Sequence, residues 1–191
     1  LLAGALVPAG AALAAPAGAD HAGRVASARK AYDEATSSWG AEDRRTLQAL
    51  GEVVSELLDG GDFSAAAPLA RDLLATLERE NPRHEADIAA VTGDIAEIAE
   101  GEGRLAEAEE LHRRAVELAR RASGEVHVTT ALALNNLGVF LHHTGRSGEA
   151  EPLLRRAVHI RERTLGPTAP LTAQSLCTLG VIAYSLEDMV V

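Results

Sequence analysis

The chain has 191 residues, of which 47% are hydrophobic and only 3% aromatic, and its formal net charge is -10. Abundant Ala and Leu with few β-branched residues favour closely packed helices over a β-sheet. The acidic balance disfavours nucleic acid as a partner, because phosphate binding requires clustered Lys and Arg. Here Arg and Glu recur four residues apart, which predicts solvated helix faces with the ion pairs Glu109–Arg113, Glu110–Arg114 and Glu151–Arg155.

Residues 1–19, LLAGALVPAGAALAAPAGA, contain no charged and no hydroxyl-bearing side chain. They resemble the apolar part of a secretory signal peptide, with Ala17-Gly18-Ala19 as an A-x-A cleavage site. The segment therefore predicts export to the periplasm or the cell exterior. The alternative is a low-complexity linker or a degenerate first helix in a cytoplasmic protein. Its Pro and Gly content argues against a stable membrane span. Because the chain starts with Leu and without a basic stretch, we expect either a fragment or an unusual start codon.

Residues 20–191 carry a repeat with a period of 42 residues. The segment GRLAEAEELHRRAVEL (103–118) matches GRSGEAEPLLRRAVHI (145–160), and GDFSAAAPLARDLLAT (61–76) falls in the same register. Apolar and small residues recur at this spacing, namely Val53, Ile95, Leu137 and Leu179, and Ala66, Ala108 and Ala150. A fixed period of this length predicts an array of stacked units.

Each unit is predicted to contain two helices. The first helix has apolar residues at helical spacing, as in Leu50, Val53, Val54 and Leu57. The turn that follows ends in Gly61, Gly103 or Gly145, where a positive φ suits a helix C-cap. In the second helix, small residues allow two helix axes to approach closely. Full units are predicted at about 42–80, 84–122 and 126–165, with a lone second helix at 23–40 and a lone first helix at 168–188.

The segment 134–167 contains LNNLG, GR, EAEPL, RA and LGP, and Pro170 follows shortly afterwards. This pattern resembles tetratricopeptide repeats of the kinesin-light-chain-like type, over about residues 23 to 188. The resemblance implies an all-α fold, a right-handed α-solenoid of stacked antiparallel helix hairpins. It also implies a scaffold without catalytic activity or cofactor, which binds a peptide or partner helix in a concave groove lined by the first helices.

On a helical wheel, one face of each first helix remains free for this groove. The candidate groove residues are Glu52, Ser55, Asp59, Asp94, Glu97, Asn135, Asn136, Val139, His143, Thr178 and Val181. The acids lie in the early units with no Lys or Arg among them, which predicts a partner with a basic segment at one end. The Asn136 amide both donates and accepts, so we expect it to bond the partner's backbone. The alternative is that the acids are merely solvated surface.

No pattern in the sequence indicates catalysis or metal binding. His142 and His143 are adjacent, so on a helix they point about 100° apart, and no third ligand has a matching spacing. His112 and His159 belong to second helices, and we expect all four to be polar groove or surface residues. Ser147 lacks the G-x-S-x-G context of a nucleophile, and no phosphate-binding loop or H-E-x-x-H occurs.

The last half unit contains the one cysteine, Cys177, which has Leu neighbours and is predicted to lie in or near the core. An unpaired last helix would expose Leu176, Leu179, Ile182 and Ala183, which predicts self-association through that end. A second functional class stays open, that of a regulatory repeat region from a larger signalling protein such as a kinase or ATPase regulator.

Overall fold

The computed structural model describes residues 20–80 and 84–188. Over these ranges the chain forms α-helices and no β-strand. The helices are α1 His21–Trp39, α2 Arg44–Asp59, α3 Phe63–Glu80, α4 Glu85–Gly101, α5 Leu105–Ser123, α6 Val128–His143, α7 Ser147–Leu165 and α8 Pro170–Asp188. The signal-like segment 1–19 lies outside the described residues. None of these eight helices combines the length and the apolar character that crossing a membrane requires.

The helices form a curved stack. Each helix packs against its neighbours in the chain, and α2, α4, α6 and α8 also approach one another in turn, with Cα atoms within 8 Å. In the described ranges no such approach joins α3 to α5 or α5 to α7. The even-numbered helices therefore lie on the concave side and the odd-numbered helices on the convex side. This arrangement confirms the predicted all-α solenoid.

The core follows the repeat. Ala66, Ala108 and Ala150 are each 0% exposed, so small residues occupy the closest helix crossings in all three units. The repeated apolar positions of the first helices are buried in the same way at Val53 and Leu137. Each helix hairpin thus buries its apolar face against the next, and the buried residues form two clusters along the stack, with Leu111 and Ala133 packed against both.

The turns between first and second helices are alike in the three units. Gly61, Gly103 and Gly145 have φ angles of 72°, 78° and 80°, which confirms the predicted positive φ. Just after each of these glycines, an amide donates to a carbonyl in the last turn of the preceding helix, namely those of Asp62, Arg104 and Arg146 to α2, α4 and α6. A residue with a Cβ disfavours this conformation, so glycine fixes the hairpin geometry here.

The last helix, α8, differs from the sequence-based expectation in two respects. Cys177 is exposed, so its predicted core position is wrong. Ile182 is 0% exposed and packs into the core of α6 and α7, and Leu179 is partly buried against the same residues, so their predicted exposure is wrong as well. Both differences have one cause. The face of α8 that points back along the stack is covered, whereas the face at Cys177 and Leu176 (43% exposed) has no following helix over it among the described residues.

The ion pairs on the convex side also differ in one case. Arg113 bonds Glu109 and Arg155 bonds Glu151 within their helices, as predicted. Arg114 instead bonds Glu78 of α3 at 3.0 Å. The long Arg114 side chain reaches a carboxylate of another unit, which the spacing within one helix cannot reveal.

Candidate functional site

A depression of about 420 Å³ lies on the concave side between α4, α6 and α8. Its lining consists of Phe63, Glu97, Glu100, Gly101, His112, Asn135, Asn136, Val139, His143, Gln174 and Thr178. Six of the predicted groove residues are therefore together in one place, namely Glu97, Asn135, Asn136, Val139, His143 and Thr178. We name this feature the central depression.

The other predicted groove residues lie outside the central depression. Glu52 and Ser55 line a second depression of about 380 Å³ between α1 and α2. Asp59 is exposed at the end of α2, Asp94 is partly buried on α4, and Val181 is 59% exposed on α8. The predicted row thus follows the concave side over all four first helices rather than forming one pocket.

Three acids lie on one face of α4, because Asp94, Glu97 and Glu100 are spaced three residues apart. Burial raises the pKa of Asp94 to about 8, and the nearby Glu97 carboxylate adds to this effect. Burial likewise raises the pKa of Glu97 to about 7, with further contributions from Glu100 and Asp59. Neither Asp94 nor Glu97 has a hydrogen bond or ion pair to any residue the structure describes. Burial without a cationic partner therefore favours the protonated forms of both acids, more strongly for Asp94 than for Glu97.

Glu100 behaves differently from these two acids. His143 Nδ1 lies 2.9 Å from Glu100 Oε1 and links α6 to α4 at the rim of the central depression. His112 Nε2 lies 3.9 Å from Glu100 Oε2. The contact with His112, and after it the contact with His143, lowers the pKa of Glu100 against the opposing effect of burial. Glu100 is therefore the member of the three that carries a negative charge at neutral pH.

His112 lines the central depression but is buried, which corrects the prediction that it is an exposed groove or surface histidine. Its side chain is 3% exposed, and its ring centroid lies 5.2 Å from that of Phe140. Both ring nitrogens are buried without a hydrogen-bond partner in the described ranges. The equivalent residues 42 positions away are Ala70 and Leu154, both 0% exposed. An imidazole thus occupies a core position, and comparison of the repeats was the signal that could have revealed it.

The two adjacent asparagines have different surroundings. Asn135 is 6% exposed, and its Oδ1 accepts a hydrogen bond of 3.1 Å from Ser175 Oγ on α8. Ser175 Oγ in turn accepts a hydrogen bond of 2.6 Å from Arg161 Nη1 on α7. Asn136 is partly buried, faces Gly93 of α4, and its amide has no hydrogen-bond partner within the described residues. Asn135 therefore ties three helices together, whereas the Asn136 amide is free for a ligand.

The paired histidines are directed to different partners. His142 Nδ1 lies 2.9 Å from Ser147 Oγ at the start of α7, whereas His143 contacts Glu100. Over residues 20–80 and 84–188, no three His, Cys, Asp or Glu side chains are grouped so that they could hold a metal ion.

The geometry defines a class of protein, an α-solenoid of helix hairpins with a concave groove. The tetratricopeptide repeat family model matches residues 87–158 and 129–189, which together span 103 of the 191 residues. The chain belongs to the tetratricopeptide repeat family. No curated protein sequence matches it significantly.

Solved structures share this fold. BtubC (BKLC) from P. vanneervenii is 22% identical with a TM-score of 0.71, over 90% of this chain and 68% of that chain. The nearly identical TPR-like repeats of a Podosopora anserina protein described as a kinesin light chain are 18% identical over 88% of this chain. Two structures of these repeats, one of them a variant with a single substitution, give TM-scores of 0.63 and 0.61 and are covered to 79% and 80%. The predicted kinesin-light-chain-like repeat type is confirmed.

Proposed function

We propose that the chain is a non-catalytic scaffold that binds an extended peptide or a partner helix in the central depression. Tetratricopeptide repeats are in general protein-interaction modules. One observation carries the proposal for this chain: Glu97 and Asn136 line the same depression, and neither has a polar partner among the described residues. A partly buried polar group without a partner is unfavourable, and a peptide backbone or a cationic side chain supplies what is missing.

The partner is further proposed to carry a basic segment. Asp94 and Glu97 hold protons because burial and neighbouring acids disfavour their ionised forms. An arriving guanidinium or ammonium group stabilises the ionised forms and forms charge-assisted hydrogen bonds. The acids are therefore more than a solvated surface in this proposal, because they gain an interaction that water does not provide.

Selection from a random peptide library displayed on phage, with the whole chain as bait, tests both statements. We expect enriched peptides to contain Lys or Arg and to bind the purified chain by calorimetry. Changing Glu52, Asp94 and Glu97 to Lys should abolish binding, and Asn136→Ala should weaken it. The matched control is Glu110→Lys on α5, an exposed acid outside the depression. If no peptide is enriched, or if the groove variants bind as well as the control variant, the proposal is wrong.

Two expectations from the sequence stay predictions. Self-association through α8 predicts a mass by light scattering that rises with concentration, and a strict monomer would contradict it. If the protein is exported and cleaved after Ala19, the mature product should be recovered outside the cytoplasm with Asp20 as its first residue.

A further inference from the structure

The concave row of side chains changes its chemistry along the array. Equivalent positions two repeat periods (84 residues) apart carry Asp94, Glu97 and Glu100 on α4, and Thr178, Val181 and Tyr184 on α8. Between them, α6 contributes an amide at Asn136 and an isopropyl group at Val139. The row therefore runs from acidic to amide and aliphatic, and then to aliphatic and aromatic.

The α8 end of this row exposes unusually large apolar groups. Val181 is 59% exposed and Tyr184 is 66% exposed. Only 3% of the chain is aromatic, so an exposed tyrosine next to an exposed valine is a distinct feature. Burial of such side chains under a ligand removes apolar area from water, and aromatic residues are enriched at the centres of interfaces.

The acidic end has a second feature that points to a ligand. His112 lines the central depression below Glu100, is 3% exposed, and has no hydrogen-bond partner for either ring nitrogen in the described ranges. An imidazole ring nitrogen can accept a hydrogen bond, and Glu97 and Glu100 add carboxylate oxygens. A guanidinium group has five donors in a planar fork and can serve several acceptors at once, whereas an ammonium group acts as a point charge.

We propose that the partner segment is bipartite, with an arginine seated between Glu97, Glu100 and His112 and a large apolar side chain seated on Val181 and Tyr184. This inference rests on the proposed function, since it specifies the peptide that the concave side binds. The acidic side chains of α4 favour arginine at the first position, and the exposed apolar area of Val181 and Tyr184 favours a large apolar residue at the second.

The spacing of the helices sets the separation between the two side chains. Packed helices lie about 8–10 Å apart, so two steps from α4 over α6 to α8 span about 16–20 Å. An extended chain advances about 3.3–3.6 Å per residue, which places the apolar residue about five or six positions from the arginine. Asn136 lies under the middle of this segment, where its amide can bond the peptide backbone.

Synthetic peptides test the inference. Each probe has one Arg and one Trp in a Gly/Ser background, separated by two, five or eight positions and made in both chain orders, because side-chain acceptors do not fix the direction of the chain. We expect the separation of five to bind at least about tenfold more tightly than the other two in one of the orders. Equal affinity at all separations in both orders overturns the inference.

A double-mutant cycle locates the arginine. Glu97→Gln should weaken binding of the Arg probe by about tenfold and leave the same probe with Gln in place of Arg unaffected. Val181→Ser with Tyr184→Ser should in contrast remove the preference for Trp over Ser in the peptide. Circular dichroism confirms that each variant is folded, and Glu110→Gln serves as the control. If Glu97→Gln weakens both probes equally, the arginine does not bind there.

The two proposals fail separately. If phage-selected peptides bind the chain but ignore the Arg–apolar spacing, the bipartite inference falls and the peptide-binding function stands. If no displayed or synthetic peptide binds at all, the proposed function itself falls.

Discussion

Gly138 on α6 lies so close to Leu154 on α7 that a methyl group on Gly138 would come within 2.7 Å of Leu154 Cγ. Leu154 is 0% exposed, and the crowded atom is at its branch point rather than at a flexible end. The hairpin of this unit therefore closes only because position 138 has no side chain. The equivalent residue in the last unit is Gly180, and a methyl group there would have no neighbour within 4 Å.

Gly138→Ala is expected to destabilise the protein in spite of the higher helix propensity of alanine. Overpacking at the crossing costs about 1–3 kcal/mol, and the gain in propensity offsets about 1 kcal/mol of that. Gly180→Ala gains helix propensity without any overpacking, so it should stabilise the protein by about 0.5–1 kcal/mol. Urea denaturation followed by circular dichroism measures both free energies of unfolding. Stabilisation of Gly138→Ala to the same extent as Gly180→Ala would show that the crossing is not closely packed.

Substitution of Asn135 is expected to lower stability, whereas substitution of Asn136 is expected to weaken peptide binding. Asn135→Ala removes the acceptor of the Ser175 hydroxyl and leaves it buried without one, so the free energy of unfolding should fall by about 1–3 kcal/mol. Asn136→Ala removes no internal hydrogen bond and should change stability by less than about 0.5 kcal/mol. Peptide affinity should show the reverse order among folded variants. A stability loss of equal size in both variants would mean that Asn136 also has a structural role.

The fold could be predicted from the sequence because the same residue pattern recurs in each of the three units. Val53, Ile95 and Leu137 mark the same core position, and Gly61, Gly103 and Gly145 mark the same turn. Each agreement between units is independent support for the helix register. Within one unit the spacing of apolar residues can leave the helix register ambiguous, and the agreement between units removes that ambiguity.

The site could be predicted only in part, since the burial of a side chain depends on what the next helix contributes. Adjacent side chains on a helix point about 100° apart. Among the described residues, Asn135 has a hydrogen-bond partner and Asn136 has none, because α8 places Ser175 against Asn135. Cys177 occupies the position equivalent to Asn135 but is exposed, because no following helix in the described part of the chain covers it. The burial of His112 was missed for a related reason: its polarity suggested an exposed groove or surface position, but its repeat position belongs to the core.

The stability of the chain is expected to fall as pH rises through the neutral range, and Asp94 is expected to be a main cause. Its folded pKa of about 8 lies above its usual value of 3.8, so the folded state retains a proton that the unfolded state has lost between these two values. Stability decreases with pH over this window because the folded state binds more protons there. Asp94→Asn should flatten the dependence of the melting temperature on pH between about 4 and 8. The exposed control Glu110→Gln should follow the wild-type curve, and a variant at position 94 that does the same would contradict the prediction.

Binding of an arginine peptide is expected to show the opposite dependence on pH. A guanidinium group pairs only with ionised carboxylates, so binding should release protons from Glu97 and Asp94, whose pKa values are about 7 and about 8. Affinity should therefore increase as pH rises from about 6 to about 9, although the free protein becomes less stable. Calorimetry in buffers of different ionisation enthalpy measures the released protons directly, and Asp94→Asn with Glu97→Gln should remove most of this release. If the wild-type protein releases almost no protons when the peptide binds, the peptide does not contact the α4 acids.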